Sequence, residues 1–451
     1  MGKYFGTDGI RGIAGDELDA ALAFKAGRAA ATVLKQYENN EDKPRVVIAR
    51  DTRISCDMLE SALSAGLCSA GADVTLLGVL PTPAAAYLTI KTGSQMGVVI
   101  SASHNPFEHN GIKMFGRNGY KLSDALEERI EQLMDDANSV ERATGGDLGR
   151  INLDHGIWTN EYVKYLAGAL DSGRFGGRIA IDCANGAASE TARMLFRLIH
   201  SEFEIIADEP DGVNINVECG STHIKYLQDI MKTGRFSIGF AFDGDADRCM
   251  IVDERGEVID GDMMLAVLAR DMKSSGNLKG NAFVGTVVSN SGMDVFARNN
   301  GFEFHRAPVG DRNVLEMMIE TGCNLGGESS GHLIFSDDAT TGDGQLTAIK
   351  FLNVLCKTGK TASELVADIP RYPQVMPSYH LSGGAEQRDA IMSSPRLLEE
   401  IRKQEELLSG EGRVLIRPSG TEPLIRVLVE AKTEALATEI AEIFLDFMES
   451  L

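Results

Sequence analysis

Residues 45–106 read RVVIARDTRISCDMLESALSAGLCSAGADVTLLGVLPTPAAAYLTIKTGSQMGVVISASHNP, and the order of apolar runs in this stretch decides the fold. RVVIARDTR, from Arg45, is a short continuous apolar run that enters a polar loop, the pattern of a buried strand. SCDMLESALSAGLCSAG is apolar at helical spacing, with Ser55 as the expected N-cap. ADVTLLG reads as a second strand, PTPAAAYLTIKTG as a helix opened by prolines, and MGVVISASHNP as a third strand with a polar end. Strand, helix, strand, helix, strand predicts a mostly parallel sheet covered on both faces.

The same architecture returns twice with different residues. The second copy runs from RIAIDCANGA at Arg178 to FSIGFAFDGDADR, the third from NAFVGTVVSN at Asn281 to CNLGGESSGH. In each copy the third strand ends in a polar loop bearing Gly or Ser: SASHNP, DGDADR and GGESSGH. Ligands of open α/β sheets bind beyond the carboxyl ends of the strands, so three such ends converging on one cleft would build one composite site. After the third copy IPRYPQVMP places Pro370, Pro373 and Pro377 within eight residues, which reads as a linker. Beyond it, VLIRPSGTEPLIRVLVEAK and EALATEIAEIFLDFMES read as two strands flanking a loop, then an amphipathic helix, a small α+β domain. The expected boundaries are 1–155, 156–255, 256–369 and 378–451.

Composition narrows the function. The chain has 451 residues, with 44 Lys and Arg against 66 Asp and Glu, a formal net charge of −22. An acidic chain without a Lys/Arg-rich run is a poor nucleic-acid binder. No apolar run approaches the roughly 18 residues of a membrane span, and MGKYFGTDGIRG lacks the apolar core of a signal peptide. The seven cysteines are scattered, with no CxxC pair, which fits free thiols in a reducing compartment. The reading is a cytoplasmic protein whose partner is a small molecule, not nucleic acid or membrane.

Four loops carry chemistry. DGDADR sets Asp243, Asp245 and Asp247 at alternate positions; three carboxylates so close repel, and a hard divalent cation relieves them. An EF-hand fails, although Glu254 falls twelfth from Asp243, because the sixth position is Arg248 where glycine is needed. Oxygen donors without Cys or His favour Mg²⁺ over zinc. Arg248 either pairs with the aspartates or holds a substrate phosphate. ISASHNP offers Ser101, Ser103, His104 and Asn105 at a strand end. Side chains of neighbouring residues diverge, so a Ser–His nucleophile pair is not expected, and a serine that carries a phosphoryl group fits better. RPSGTEP is a phosphate cradle by composition: Arg417 supplies a planar fork, Ser419 and Thr421 hydroxyls, Gly420 converging N–H groups, and Arg426 follows on the next strand. GGESSGH supplies Glu328, Ser330 and His332, a set suited to sugar hydroxyls.

FGTDGIRG (5–12), SASHNP, DGDADR, GESSGH and RPSGTEP, in this order, resemble the motifs of the α-D-phosphohexomutase family along essentially the whole chain. YFGTDGIRG, ISASHNPFEHNGIKMF, the VGDR at 309–312 and the TTGDG at 340–344 are similar to the branch that acts on glucosamine phosphates. The resemblance implies three similar mixed or parallel α/β domains and a TATA-binding-protein-like C-terminal α+β domain around a central cleft. It implies that Ser103 is the phosphoserine and that it and the three aspartates hold one Mg²⁺. Glu328 and Ser330 would bind sugar hydroxyls, while Arg417, Ser419, Gly420 and Thr421 grip the non-reacting phosphate. Arg11, Lys113 and His332 match positions that assist proton transfer, with His104 beside the phosphoserine. The implied reaction interconverts glucosamine 6-phosphate and glucosamine 1-phosphate through a 1,6-bisphosphate, in a monomer or homodimer. Retention of that intermediate predicts a mobile last domain on the proline-rich linker.

Overall fold

The computed structural model describes residues 2–6, 8–38, 43–136, 139–409, 411–418 and 424–449. The stretch that decides the fold forms strand Arg45–Arg50, helix Cys56–Ser69, strand Asp73–Val79, helix Thr82–Thr92 and strand Met96–Ile100. Arg45–Arg50 lies parallel to both Asp73–Val79 and Met96–Ile100, and Ile151–Leu153 extends the parallel edge. The other edge is antiparallel: His109–Gly116 returns beside Met96–Ile100, followed by Gly9–Ile13 and Phe5–Gly6. The seven-stranded sheet is therefore mixed, not mostly parallel. A parallel partner needs a crossover of a dozen or more residues, and the short connection after Ile100 allows only a hairpin. Ser55 does stand at the helix N-cap position, but its side chain makes no cap bond; it accepts from Asn110 Nδ2 at 2.8 Å.

The second copy repeats this plan. Arg178–Asp182 is flanked in parallel by Glu202–Ile206 and Ile238–Phe242, and Cys249–Val252 returns antiparallel. In the third copy Ala282–Thr286 pairs in parallel with Glu303–Ala307, and Leu325–Gly327 with Leu333–Phe335 in an antiparallel hairpin. Each of the three polar loops thus closes a hairpin on a buried strand: Ile100 faces Ile112, Phe242 faces Cys249, and Gly327 faces Leu333. Strand residues such as Val98, Val99, Ile100, Phe240 and Phe242 are fully buried, and each contributes about 1.5–3 kcal/mol of transfer free energy. That apolar anchorage holds the loops that follow.

The proline-rich stretch is not a free linker. Gln374–Val375 is a strand paired antiparallel with Leu424–Glu430, which also pairs with Ser378–His380 and Arg413–Pro418. The carbonyls of Pro373 and Pro377 accept from Ala431 and Val427, and Asn290 exchanges two hydrogen bonds with Tyr372. Proline suits such an edge because the position needs no N–H. By contacts, the chain forms two compact units, residues 1–277 with 324–367 and residues 278–323 with 368–451.

Candidate active site

Ser103 sits at the turn of its hairpin with φ of 52°, a left-handed conformation strained for a side chain other than Gly, Asn or Asp. A buried polar clamp holds it there. Ser101 Oγ donates to Asp51 Oδ2 (2.6 Å) and accepts from Ser103 N (3.0 Å). The Arg53 guanidinium, itself fully buried, bonds Asp51 Oδ2 (2.9 Å) and donates to the carbonyls of Ser103 (2.8 Å), Asn105 (2.9 Å) and Pro106 (2.5 Å). Asn216, from the second copy, adds a bond to the Ser103 carbonyl at 3.0 Å. Gly244 has to be small here, since a Cβ would lie 2.5 Å from the same carbonyl.

The Ser103 hydroxyl donates to Asp243 Oδ2 at 2.6 Å and also lies 3.2 Å from His104 Nδ1. The neighbouring Ser–His pair expected to diverge is therefore in hydrogen-bond contact; the left-handed turn swings the two side chains together. Asp243, Asp245 and Asp247 are all buried, and each offers a carboxylate oxygen within 4.8 Å of the others. Asp245 Oδ2 accepts from Thr82 Oγ1 (2.6 Å) and Lys113 Nζ (2.9 Å), and Asp247 Oδ2 faces His332 Nδ1 at 3.6 Å. Asp245 Oδ1 and Asp247 Oδ1 are buried without a hydrogen-bond partner. Orphaned carboxylate oxygens at this depth fit a hard cation with oxygen ligands, and the donor set suits Mg²⁺ better than a thiophilic metal. Burial, then the charges of Asp247 and Asp245, push the Asp243 carboxyl well above its usual range. Burial also raises Asp247, but His332, Lys113 and Arg248 outweigh it and hold that carboxyl far below the usual range.

The cations are built into the same place. Lys113, buried, spans Asp245 and Asp8 (3.1 Å), and Asp8 also pairs with Arg11 and with Lys121 (2.6 Å). Burial opposes the Lys113 charge, yet Asp245 and Asp8 overcome it and raise its pKa. His332 accepts from the Gly342 amide on Nε2 (3.1 Å) while Nδ1 faces Asp247, so both ring nitrogens meet the protein. Arg248 Nε stays 4.0 Å from Asp243 and 3.8 Å from Asp247, and is itself without a hydrogen-bond partner. Ser330 Oγ is buried and unpaired, and the 328–332 loop is tied to the aspartate loop through Cys249 N to Gly331 O (3.0 Å). Gly331 has φ of 90°, and a Cβ there would lie 2.1 Å from the Cys249 carbonyl.

Arg417 and Arg426 stand directly opposite each other in the antiparallel pair Arg413–Pro418 and Leu424–Glu430. Burial and the Arg426 charge lower the Arg417 pKa, an arrangement that an anion relieves. Ser419, Gly420 and Thr421 lie outside the described residues. Sequence reasoning missed Asp51, Arg53, Asn216, Thr82, Asp8 and Lys121. The only signal for most of them was a polar residue directly after an apolar run or inside a motif read for another residue.

A buried carboxylate trio around a strained serine, fringed by fixed cations, is the equipment of a phosphoryl-transferring α/β enzyme. The chain matches the phosphoglucomutase/phosphomannomutase family along its length: alpha/beta/alpha domain I at residues 2–141, domain II at 160–256, domain III at 260–372 and the C-terminal domain at 383–447. It belongs to that family, and is a mutase of the isomerase class. Among its relatives, the phosphoglucosamine mutase of Caldicellulosiruptor bescii is 47% identical over 100% of this chain and 99% of that one. The phosphoglucosamine mutase of Desulforudis audaxviator is 48% identical over 98% and 97%. A solved phosphoglucomutase/phosphomannomutase family protein from Burkholderia thailandensis superposes with a TM-score of 0.80 at 25% identity, over 99% of this chain and 97% of that one.

Proposed function

We propose that this chain interconverts glucosamine 6-phosphate and glucosamine 1-phosphate, the activity of a phosphoglucosamine mutase, with phospho-Ser103 as the phosphoryl carrier. The observation that carries the reading is the 2.6 Å bond from Ser103 Oγ to Asp243 within the aspartate trio. The substrate assignment rests on full-length relatives of that name. In the first half-reaction the bond from phosphorus to Ser103 Oγ breaks and a bond to the sugar 1-oxygen forms, while the hydroxyl proton lost by the sugar returns to Oγ. In the second, Oγ attacks the 6-phosphoryl of the bisphosphate and its proton passes to the 6-oxygen.

Asp243, Asp245 and Asp247, with the phosphate on Ser103, are the residues that would hold Mg²⁺, which when bound neutralises charge on the moving phosphoryl group. Lys113 and Arg11, anchored by Asp8, supply permanent positive charge, and His332 steadies Asp247. Arg248 takes phosphate oxygens; Glu328 and Ser330 take sugar hydroxyls. Arg417, Ser419, Gly420, Thr421 and Arg426 form the grip for the distal phosphate. The working partner is a phosphosugar, neither nucleic acid nor membrane, and the protein acts in the cytoplasm as a monomer or homodimer. Among the described residues no helix is long and apolar enough to cross a membrane.

A substrate panel primed with trace sugar bisphosphate tests this. Glucosamine 6-phosphate is expected to turn over faster than glucose or mannose 6-phosphate. Intact-mass measurement should find one phosphate on the wild-type chain and none on an inactive Ser103→Ala variant. A hexose phosphate that turns over faster, or an active Ser103→Ala chain, refutes the reading.

A further inference from the structure

Thr82 opens helix Thr82–Thr92 and lies outside the aspartate loop that it touches. It meets Asp245 twice: its backbone N–H donates to the Asp245 carbonyl at 2.9 Å, and its hydroxyl donates to Asp245 Oδ2 at 2.6 Å. Both residues are buried, at 2% and 0% exposure, so water does not compete for either bond. Lys113 Nζ takes the remaining capacity of the same oxygen at 2.9 Å. The two donors leave Asp245 Oδ1 buried and unpaired, while Oδ2 is fully engaged. Pro81 and Pro83 fix the backbone on either side of Thr82, so its hydroxyl is delivered with little conformational freedom left to lose.

We propose that Thr82 is a positioning residue for the cation: it locks the Asp245 carboxylate so that Oδ1 is the oxygen presented to the metal. The proposal rests on the assignment of Asp243, Asp245 and Asp247 as the cation site. A carboxylate held at one oxygen by two donors from different directions has little freedom to swing its other oxygen away, so the ordering cost is met in folding and not at each binding event. Valine matches threonine in shape but lacks the hydroxyl. Thr82→Val leaves Lys113 as the single donor to Oδ2 and frees the carboxylate to rotate; Thr82→Ser keeps the donor.

The test is direct cation binding to full-length protein stripped of metal, with Mn²⁺ followed by electron paramagnetic resonance and Mg²⁺ by calorimetry. Wild type, Thr82→Val, Thr82→Ser and Asp245→Asn are compared at equal Ser103 phosphate content, checked by intact mass. Expected is a loss of about tenfold or more in affinity for Thr82→Val, the usual effect of removing a partner of a metal-binding carboxylate, with most of it restored in Thr82→Ser. The metal-free melting temperature of Thr82→Val should stay near wild type. Wild-type affinity in Thr82→Val overturns the proposal, as does an equal loss in the serine variant, which would place the effect in side-chain packing and not in the hydroxyl. If wild type and Asp245→Asn bind the cation equally poorly, the metal assignment itself fails and takes the proposal with it.

Discussion

His104 Nδ1 lies 3.2 Å from Ser103 Oγ, and that hydroxyl has one proton, committed to Asp243 at 2.6 Å. With Asp243 ionised, His104 is then the donor, as the Nδ1–H tautomer, and in that state it is not the base that activates the serine. Burial, reinforced by the Arg248 charge, lowers its pKa to about 4. An imidazole depressed from its unfolded value of 6.5 adds stability that is fully present above that value and is lost as the pH falls through about 4. Nitrogen NMR of the metal-free, unphosphorylated chain should show the Nδ1–H tautomer and a midpoint near 4; a midpoint near 6.5 would contradict the arrangement. His104→Gln should flatten the acid limb of the stability profile between pH 4 and 6.5. Ser103, Asp243, Asp245 and Asp247 stood out in the sequence because their chemistry is unusual for their spacing. Asp51, Arg53 and Thr82 did not, because a buried Asp–Arg pair or a helix-opening threonine looks ordinary until its partner is known.

The segment 340–344 works as a unit. Asp343 caps helix Gly344–Thr358 by accepting from Leu346 N (2.9 Å), and accepts from the buried Tyr162 hydroxyl (2.8 Å). One residue earlier, the Gly342 amide orients His332 and through it Asp247. Asp343→Ala removes the cap and strands the tyrosine hydroxyl, a loss on the order of 2–3 kcal/mol. Asp343→Asn keeps an acceptor for the cap and should cost less. Thermal melts will rank the two. Mutase assays should find the alanine variant slower by a larger factor than its lower stability accounts for, since His332 loses its guide; full activity in folded Asp343→Ala would refute the coupling. At this scale the strand and helix order was legible from the periodicity of apolar residues. The antiparallel edge was not, because an apolar run does not encode the direction of its partner; nor was the strand at Gln374–Val375, because a two-residue edge strand carries no periodicity and proline is usually read as a break.

Residues 278–323 pack with 368–451, although the sequence repeat groups them with their neighbours at 256–277 and 324–369. Arg413 donates to the Ser289 carbonyl (2.5 Å) and Glu430 accepts from Ser291 N (2.9 Å), beside the Asn290–Tyr372 exchange. Native-state hydrogen exchange should therefore show Ala282–Thr286 and Leu424–Glu430 opening together, with Arg413→Ala lowering the protection of both. Exchange of Ala282–Thr286 independently of Leu424–Glu430 would refute this. The sequence by itself determined the family, the α/β order and the loops that carry chemistry, because apolar period and residue type are local properties of the chain. It also set the net charge of −22, which argued against polyanionic partners without describing the site. Tertiary structure decided the rest: that Asp8 gathers Arg11, Lys113 and Lys121 at one point, that Arg53 and Asn216 brace the serine turn, and that Asp245 keeps one oxygen unpaired. These pairs lie up to 113 positions apart. A hydrogen bond or a buried charge depends on which atoms folding brings within about 3 Å, and no local pattern encodes that.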